Sequence, residues 1–141
     1  RDQPRSRGLG DVYKRQLQPQ MIGIGPFIPH HATPFKNYPA GTLEQTLTLL
    51  SVLRLMFPKV LLPATTALGT IVPNGRELGI LAGANVVMPN LSPADVRQNY
   101  LLYDNKLCSG AEAAEAKNDL AARLHSIGYE IAEGRGDYKE S

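Results

Sequence analysis

MIGIGPFIPH (residues 21–30), LLPATTALGT (61–70) and GANVVMPNLSP (83–93) are three compact apolar runs, each broken or closed by Gly, Pro, Thr or Asn. Amphipathic, helix-like sequence separates them. Continuous apolar runs of that length suit strands buried on both faces, and their alternation with helices is the rhythm of a parallel βα array. Such arrays hold ligands where the strands end, so residues at the close of each run are the first place to look for chemistry.

The intervening sequence supports this reading. Residues 21–27 are expected as a strand whose Gly23 and Gly25 permit close approach at its end. A loop rich in Pro and His follows over 28–41. Thr42 with Gln45 three residues on has capping-box spacing and predicts a helix to about Phe57, stopped by Pro58. A second strand is expected over 61–68, with Pro63 tolerable near its start. Asn74 and Glu77 repeat the capping-box pattern for a helix ended at Gly83. A third strand over 85–88 leads to Ser92-Pro93, an N-cap and first-turn proline for a helix carrying Val96, Tyr100 and Tyr103. The last helix, about 111–126, sets Ala113, Ala116, Leu120, Leu124 and Ile127 on one stripe before Gly128.

Composition narrows the function classes. Residues 1–16 carry five Lys/Arg against two Asp/Glu, so the remainder, with ten basic and eleven acidic residues, has a net charge of −1. The overall +2 therefore belongs to the leader and makes no case for a nucleic-acid partner. No run approaches the roughly 18 apolar residues that span a bilayer, and no charged-then-apolar signal opens the chain, so neither a membrane nor export is expected and the location reads as cytoplasmic. One cysteine, Cys108, excludes an internal disulfide and cannot alone hold a zinc or iron–sulfur site. The leader, 1–16, reads as adapter-like or as a flexible basic arm, and the fold is expected over 17–141. Three βα units with helices on one side would leave Ile22, Ile24 and Val87 poorly covered on the other. The expected fold class is accordingly α/β: the C-terminal part of a larger (β/α) barrel, about three βα units plus a C-terminal helix, incomplete as an isolated chain.

In order and at natural spacing, MIGIGPFIPH, PATTALGT, NGRE, GANVVMPNLSP, YDNKLC, SIGYEI and GRGDYK resemble the C-terminal half of the radical S-adenosylmethionine (SAM) maturases of the FeFe-hydrogenase H-cluster. Biotin synthase and methylornithine synthase share that architecture. The resemblance implies an eight-stranded TIM-type barrel that binds SAM and a 4Fe–4S cluster through a Cys-x3-Cys-x2-Cys loop. It further implies a 5′-deoxyadenosyl radical acting on a small-molecule or organometallic substrate, with other hydrogenase maturation proteins as partners. The 141 residues contain no such cysteine loop, so the chain by itself is expected to be inactive. Cys108 matches one ligand of an optional second cluster, with no further cysteine after it.

By resemblance, Met21 and Ile28 contact SAM near its metal end and adenine, and the backbone of Gly25, Pro26 and Phe27 edges the adenine. A soft thioether and an apolar side chain suit those tasks, although core packing would also place such residues here. Thr65 and Thr66 match a pair that binds a carboxylate or other anion of the substrate. Buried hydroxyls need partners, and strand alternation lets only one point inward unless the strand ends between them. Met88 matches a cavity-lining residue, and Tyr100 and Tyr103 match tyrosines facing the substrate, a packing stripe being the plain alternative. Asn90 is expected to cap its loop. His30 and His31 are expected to point apart in a solvated loop. Other readings remain: a different biotin-synthase-like enzyme such as methylornithine synthase, or a stand-alone βα domain that oligomerises to cover its sheet.

Overall fold

A computed structural model describes residues 18–89 and 113–138. The leader, Asn90, the helix expected after Ser92 with Tyr100 and Tyr103, and Cys108 lie outside the described residues. The elements are α1 (Leu43–Met56), β1 (Pro63–Ala64), α2 (Thr66–Ile71), α3 (Gly75–Leu81), β2 (Val86–Val87) and α4 (Ala113–Ser126). They form a mixed helix and strand structure around a small open sheet.

β1 and β2 pair in parallel, with Pro63 opposite Val86 and Ala64 opposite Val87. On the other side of the same segment, Met21 forms a parallel bridge with Leu61. There the Ile22 N–H donates to the Leu61 carbonyl, and the Leu61 N–H to the Gln20 carbonyl, each at 2.9 Å. The three apolar runs thus lie side by side in chain order, all pointing the same way. The expected strand over 21–27 shrinks to that one bridge. The next donor in the ladder would be the N–H of residue 63, which proline lacks. The expected strand over 61–68 also ends early: Thr65 is the extended N-cap residue of α2, so Thr66 onward is helical.

One face of this sheet is covered. Ile22, Leu62, Ala64, Leu68, Leu50, Ile80, Leu120 and Leu124 belong to a single buried cluster, and Ile24 and Val87 pack against it. The expectation that Ile22, Ile24 and Val87 line the uncovered face is therefore reversed. Side chains alternate along an extended chain, so the open face carries Met21, Leu61 and Val86 instead. Both parities of these runs are apolar, and nothing in the pattern distinguishes the faces. α3 lies close to β1 because Gly79 has no side chain: a Cβ there would sit 3.2 Å from the Ala64 Cβ.

Specific polar contacts hold the helix ends. The Gln45 N–H donates to the Thr42 hydroxyl at 3.2 Å, the cap expected for α1. Arg54 donates to the carbonyls of Gly83 (2.8 Å), Pro58 (2.7 Å) and Val60 (2.9 Å), tying the end of α1 to both neighbouring turns. Burial pushes the pKa of its guanidinium down. At α3 the expected capping box does not form, because the Asn74 side chain makes no cap hydrogen bond. Glu77 instead turns to Arg123 of α4, which also donates to the Pro73 carbonyl. Gly83 and Gly128, both at positive φ, end α3 and α4 as expected. Among the described residues, the outer side of α1 is apolar and exposed: Leu49 and Val52 are exposed and Leu55 is 82% exposed. Among the described residues, no helix is long and apolar enough to cross a membrane.

Candidate functional site

The open face of the sheet gathers several of the residues singled out in the sequence. Gly25 packs directly on Thr65, since a Cβ at Gly25 would lie 2.8 Å from the Thr65 Oγ1. Thr65 and Met88 are the residues that directly follow the last pair of the ladder, Ala64 and Val87. Gly25 and Thr65 thus meet in a row at the C-terminal ends of their runs, with Met88 just past the end of β2 and Met21 and Leu61 toward the opposite end. Both methionines are about half exposed, Met21 at 47% and Met88 at 53%. A cavity of about 660 Å³ is lined by Met21, Leu61 and Val86 together with Ile80, Leu124 and Tyr129, and does not include Gly25, Thr65 or Met88.

Thr65 is the polar centre of the row. Its Oγ1 is buried and has no hydrogen-bond partner among the described residues. It does not serve as a helix cap, although Thr65 occupies the N-cap position of α2. Leaving a hydroxyl in that state costs about 1–3 kcal/mol. Thr66 goes elsewhere. Its Oγ1 accepts a hydrogen bond from Arg76 Nη2 at 3.3 Å, and its carbonyl accepts one from the Thr70 hydroxyl at 3.1 Å. The two hydroxyls thus separate at the strand-to-helix turn, one in the row and one against α3.

The loop after the first run closes over the row's edge. Gly41 donates its N–H to the Phe27 carbonyl at 2.8 Å. A Cβ on Gly41 would lie 2.9 Å from the Phe27 nitrogen, so this crossing requires glycine. Pro26 is buried beneath it, and Ile28 is half-buried. The Phe27 ring is exposed and meets Phe35 edge-on at 6.5 Å, and Phe35 meets Tyr38 at 5.4 Å. His30 and His31 do not point apart as expected. Their rings stack at 4.4 Å and 23°, because the Ala32 N–H donates to His30 Nδ1 at 3.0 Å and curls the loop. Among the described residues, no group of three or more His, Cys, Asp or Glu could hold a metal ion.

Sequence reasoning missed Arg76, reading it only as part of a capping pattern. No spacing rule links it to Thr66, ten residues earlier; only the packing of α3 against the strand end brings them together. Tyr100, Tyr103 and Cys108 lie outside the described residues.

No family model matches the chain. Among curated proteins, the FeFe-hydrogenase maturase subunit HydE of Thermotoga maritima is 51% identical over 88 residues, 62% of this chain and 25% of that protein. The chain resembles HydE. The likeness inferred from its ordered motifs is thus found by direct comparison. The 3-methylornithine synthases are similar at lower identity. That of Methanosarcina barkeri is 37% identical over 89 residues, covering 63% of this chain and 25% of the enzyme. That of Methanosarcina acetivorans is 30% identical over 114 residues, covering 81% and 31%. The chain spans about a quarter to a third of the length of these relatives.

Proposed function

We propose that this chain forms part of a radical SAM enzyme acting in FeFe-hydrogenase maturation, as one wall of a barrel that encloses SAM and a small-molecule or organometallic substrate. The observation that carries this reading is the 51% identity to HydE. Two features of the fold support the barrel: three parallel runs adjacent in chain order, and an apolar sheet face and helix side left without cover among the described residues. Each is what a stretch of a closed (β/α) barrel presents when its neighbours are not included.

Within that reading, the residues around Gly25 fit the adenosyl part of SAM. Met21 supplies an exposed thioether, Gly25 an edge without a side chain, and Ile28 an apolar surface for a flat base. Pro26 and Phe27 fix that edge through the Gly41 contact. SAM would supply the radical chemistry; the chain's own groups bind, orient and exclude water. Thr65 and Thr66 receive an anionic group of the substrate, and Met88 shapes the apolar wall beside it. The 4Fe–4S cluster does not fit the residues present, because its three thiolates cannot come from the single Cys108.

The test is a graft. The matched stretch of this chain replaces the corresponding stretch of Thermotoga maritima HydE, and 5′-deoxyadenosine formation and hydrogenase activation are measured. Both activities are expected within tenfold of the parent. A folded graft that forms no 5′-deoxyadenosine would overturn the radical SAM reading. One that cleaves SAM without activating hydrogenase would favour the second reading, a methylornithine-synthase-like enzyme, which the weaker identities support.

A further inference from the structure

We propose that Asn85 is a positioning residue for the candidate site: it pins the register of β1 against β2 and so sets where Thr65 stands at the strand end. Its bearing on catalysis rests on the reading of that end as part of a SAM and substrate wall. Asn85 lies one residue before β2, at the end of the sheet away from Thr65. Its backbone N–H donates to the Leu62 carbonyl at 2.9 Å, and its side-chain Oδ1 accepts the Leu62 N–H at 2.8 Å. One residue thus takes up both main-chain groups of Leu62, whose side chain is fully buried. Of the two ends of an amide side chain, the oxygen alone can receive an N–H, so this contact fixes the orientation of Asn85.

The hydrophobic pattern does not set this register. A one-residue slip carries every side chain of a strand to the other face, and a pattern resists it only where the two faces differ. Leu61 and Leu62 are equally apolar, as are Val86 and Val87, and the paired strands are two residues each. The polar groups do discriminate. Slipped by one residue, Asn85 would stand opposite Leu61 or Pro63. The Leu61 N–H is already given to the Gln20 carbonyl at 2.9 Å, and proline has no N–H to give. Either slip also strips the Leu62 N–H of its acceptor. On the other side of β1, the ladder to the first run ends at the Met21–Leu61 bridge, so the segment leading to Thr65 is held from β2. Three residues beyond Leu62, a Cβ on Gly25 would lie 2.8 Å from the Thr65 Oγ1, an approach that leaves β1 no room to shift. The pin therefore reaches the site through the strand it holds.

The experiment uses the full 141-residue chain with labelled amides and threonine methyl groups, followed by NMR. The unsubstituted chain is expected to show one Thr65 methyl signal with a contact to the Gly25 α-protons, and slow exchange of the Leu62 amide. In N85A, the Leu62 amide should exchange about tenfold faster relative to the Leu68 amide. The Thr65–Gly25 contact should fall by half or more, or a second Thr65 signal should appear. N85D keeps an acceptor for the Leu62 N–H and should stay within about threefold of the unsubstituted chain on both measures. N85V keeps strand propensity without the acceptor and should behave as N85A does; it carries the test if N85A fails to fold. If N85A and N85V melt lower yet keep the full Thr65–Gly25 contact, Asn85 only stabilises the sheet and the proposal is overturned. N85D no better than N85A overturns it too, since the acceptor would then not be what matters. In the HydE graft, N85A should lower hydrogenase activation about tenfold and N85D by less than about threefold; equal activity in N85A and the graft overturns the positioning role. An unsubstituted graft that forms no 5′-deoxyadenosine strikes the radical SAM reading instead, and leaves the register pin to be decided by the contacts in the chain itself.

Discussion

Replacing Thr65 with valine should make the chain more stable and its site less able to bind. Valine keeps the branch at Cβ and the extended backbone that Thr65 holds at φ −71° and ψ 157°. It removes an Oγ1 that is buried without a partner among the described residues. The helix start loses nothing, because that hydroxyl makes no cap bond. An unpaired buried hydroxyl costs about 1–3 kcal/mol, and the methyl that replaces it restores part of the lost packing beside Gly25. The expected net gain is about 1 kcal/mol. For a chain of this size that is a rise in melting temperature of about 3–4 °C. Thermal melts of the full chain, with and without acetate, measure both halves of the claim. Acetate should raise the melting temperature of the unsubstituted chain and leave that of T65V unchanged. If T65V melts lower by several degrees, the hydroxyl has a stabilising partner, and the idea of a site held open for a ligand fails.

Other substitutions probe the packing that positions the row. G25A should cost about 1–3 kcal/mol through its clash with Thr65 Oγ1, and T65A in the same chain should recover at least half of that loss in a urea double-mutant cycle. G75A should be far worse, above about 3 kcal/mol, because its Cβ would strike the Leu68 carbonyl, which is backbone and cannot rotate away; a near-normal melt would refute that contact. R123A leaves the buried Glu77 carboxylate without its partner and should cost about 1–3 kcal/mol, whereas E77Q/R123M should cost less than R123A alone when both are unfolded in urea. L55K on the open side of α1 should change stability by less than about 0.5 kcal/mol and raise solubility, which sedimentation of concentrated samples would register.

Much of this organisation is legible in the sequence, for identifiable reasons. The Thr42 cap, the positive-φ glycines and the Leu120/Leu124 stripe are local or strictly periodic features, and each appears where the residues place it. Which face of the sheet is buried was not legible. Ile22 and Met21, or Val87 and Val86, are equally apolar, and only the helix packing of Leu50, Leu68 and Ile80 chooses between them. Strand length was overread for a similar reason. Nothing local in MIGIGPF or LLPATTAL signals that Pro63 interrupts one ladder and that α2 begins immediately after Thr65. In the candidate site, Thr65 and Met88 could be named from their place at strand ends. The coupling of Arg76 to Thr66 could not, because it depends on how α3 returns over the strand.

The central claim is that the Met21–Ile28 edge and the Thr65 row face one ligand-filled space. It is tested most directly by isotope-edited NOE measurements on the HydE graft with bound SAM and labelled Met, Ile and Thr methyl groups. The account predicts contacts from the adenine protons to the Ile28 methyl groups and from the SAM methyl to Met21, with none to Leu49 or Leu55 on the outer side of α1. Adenine contacts to α1, or none to Ile28 at saturating SAM, would contradict it.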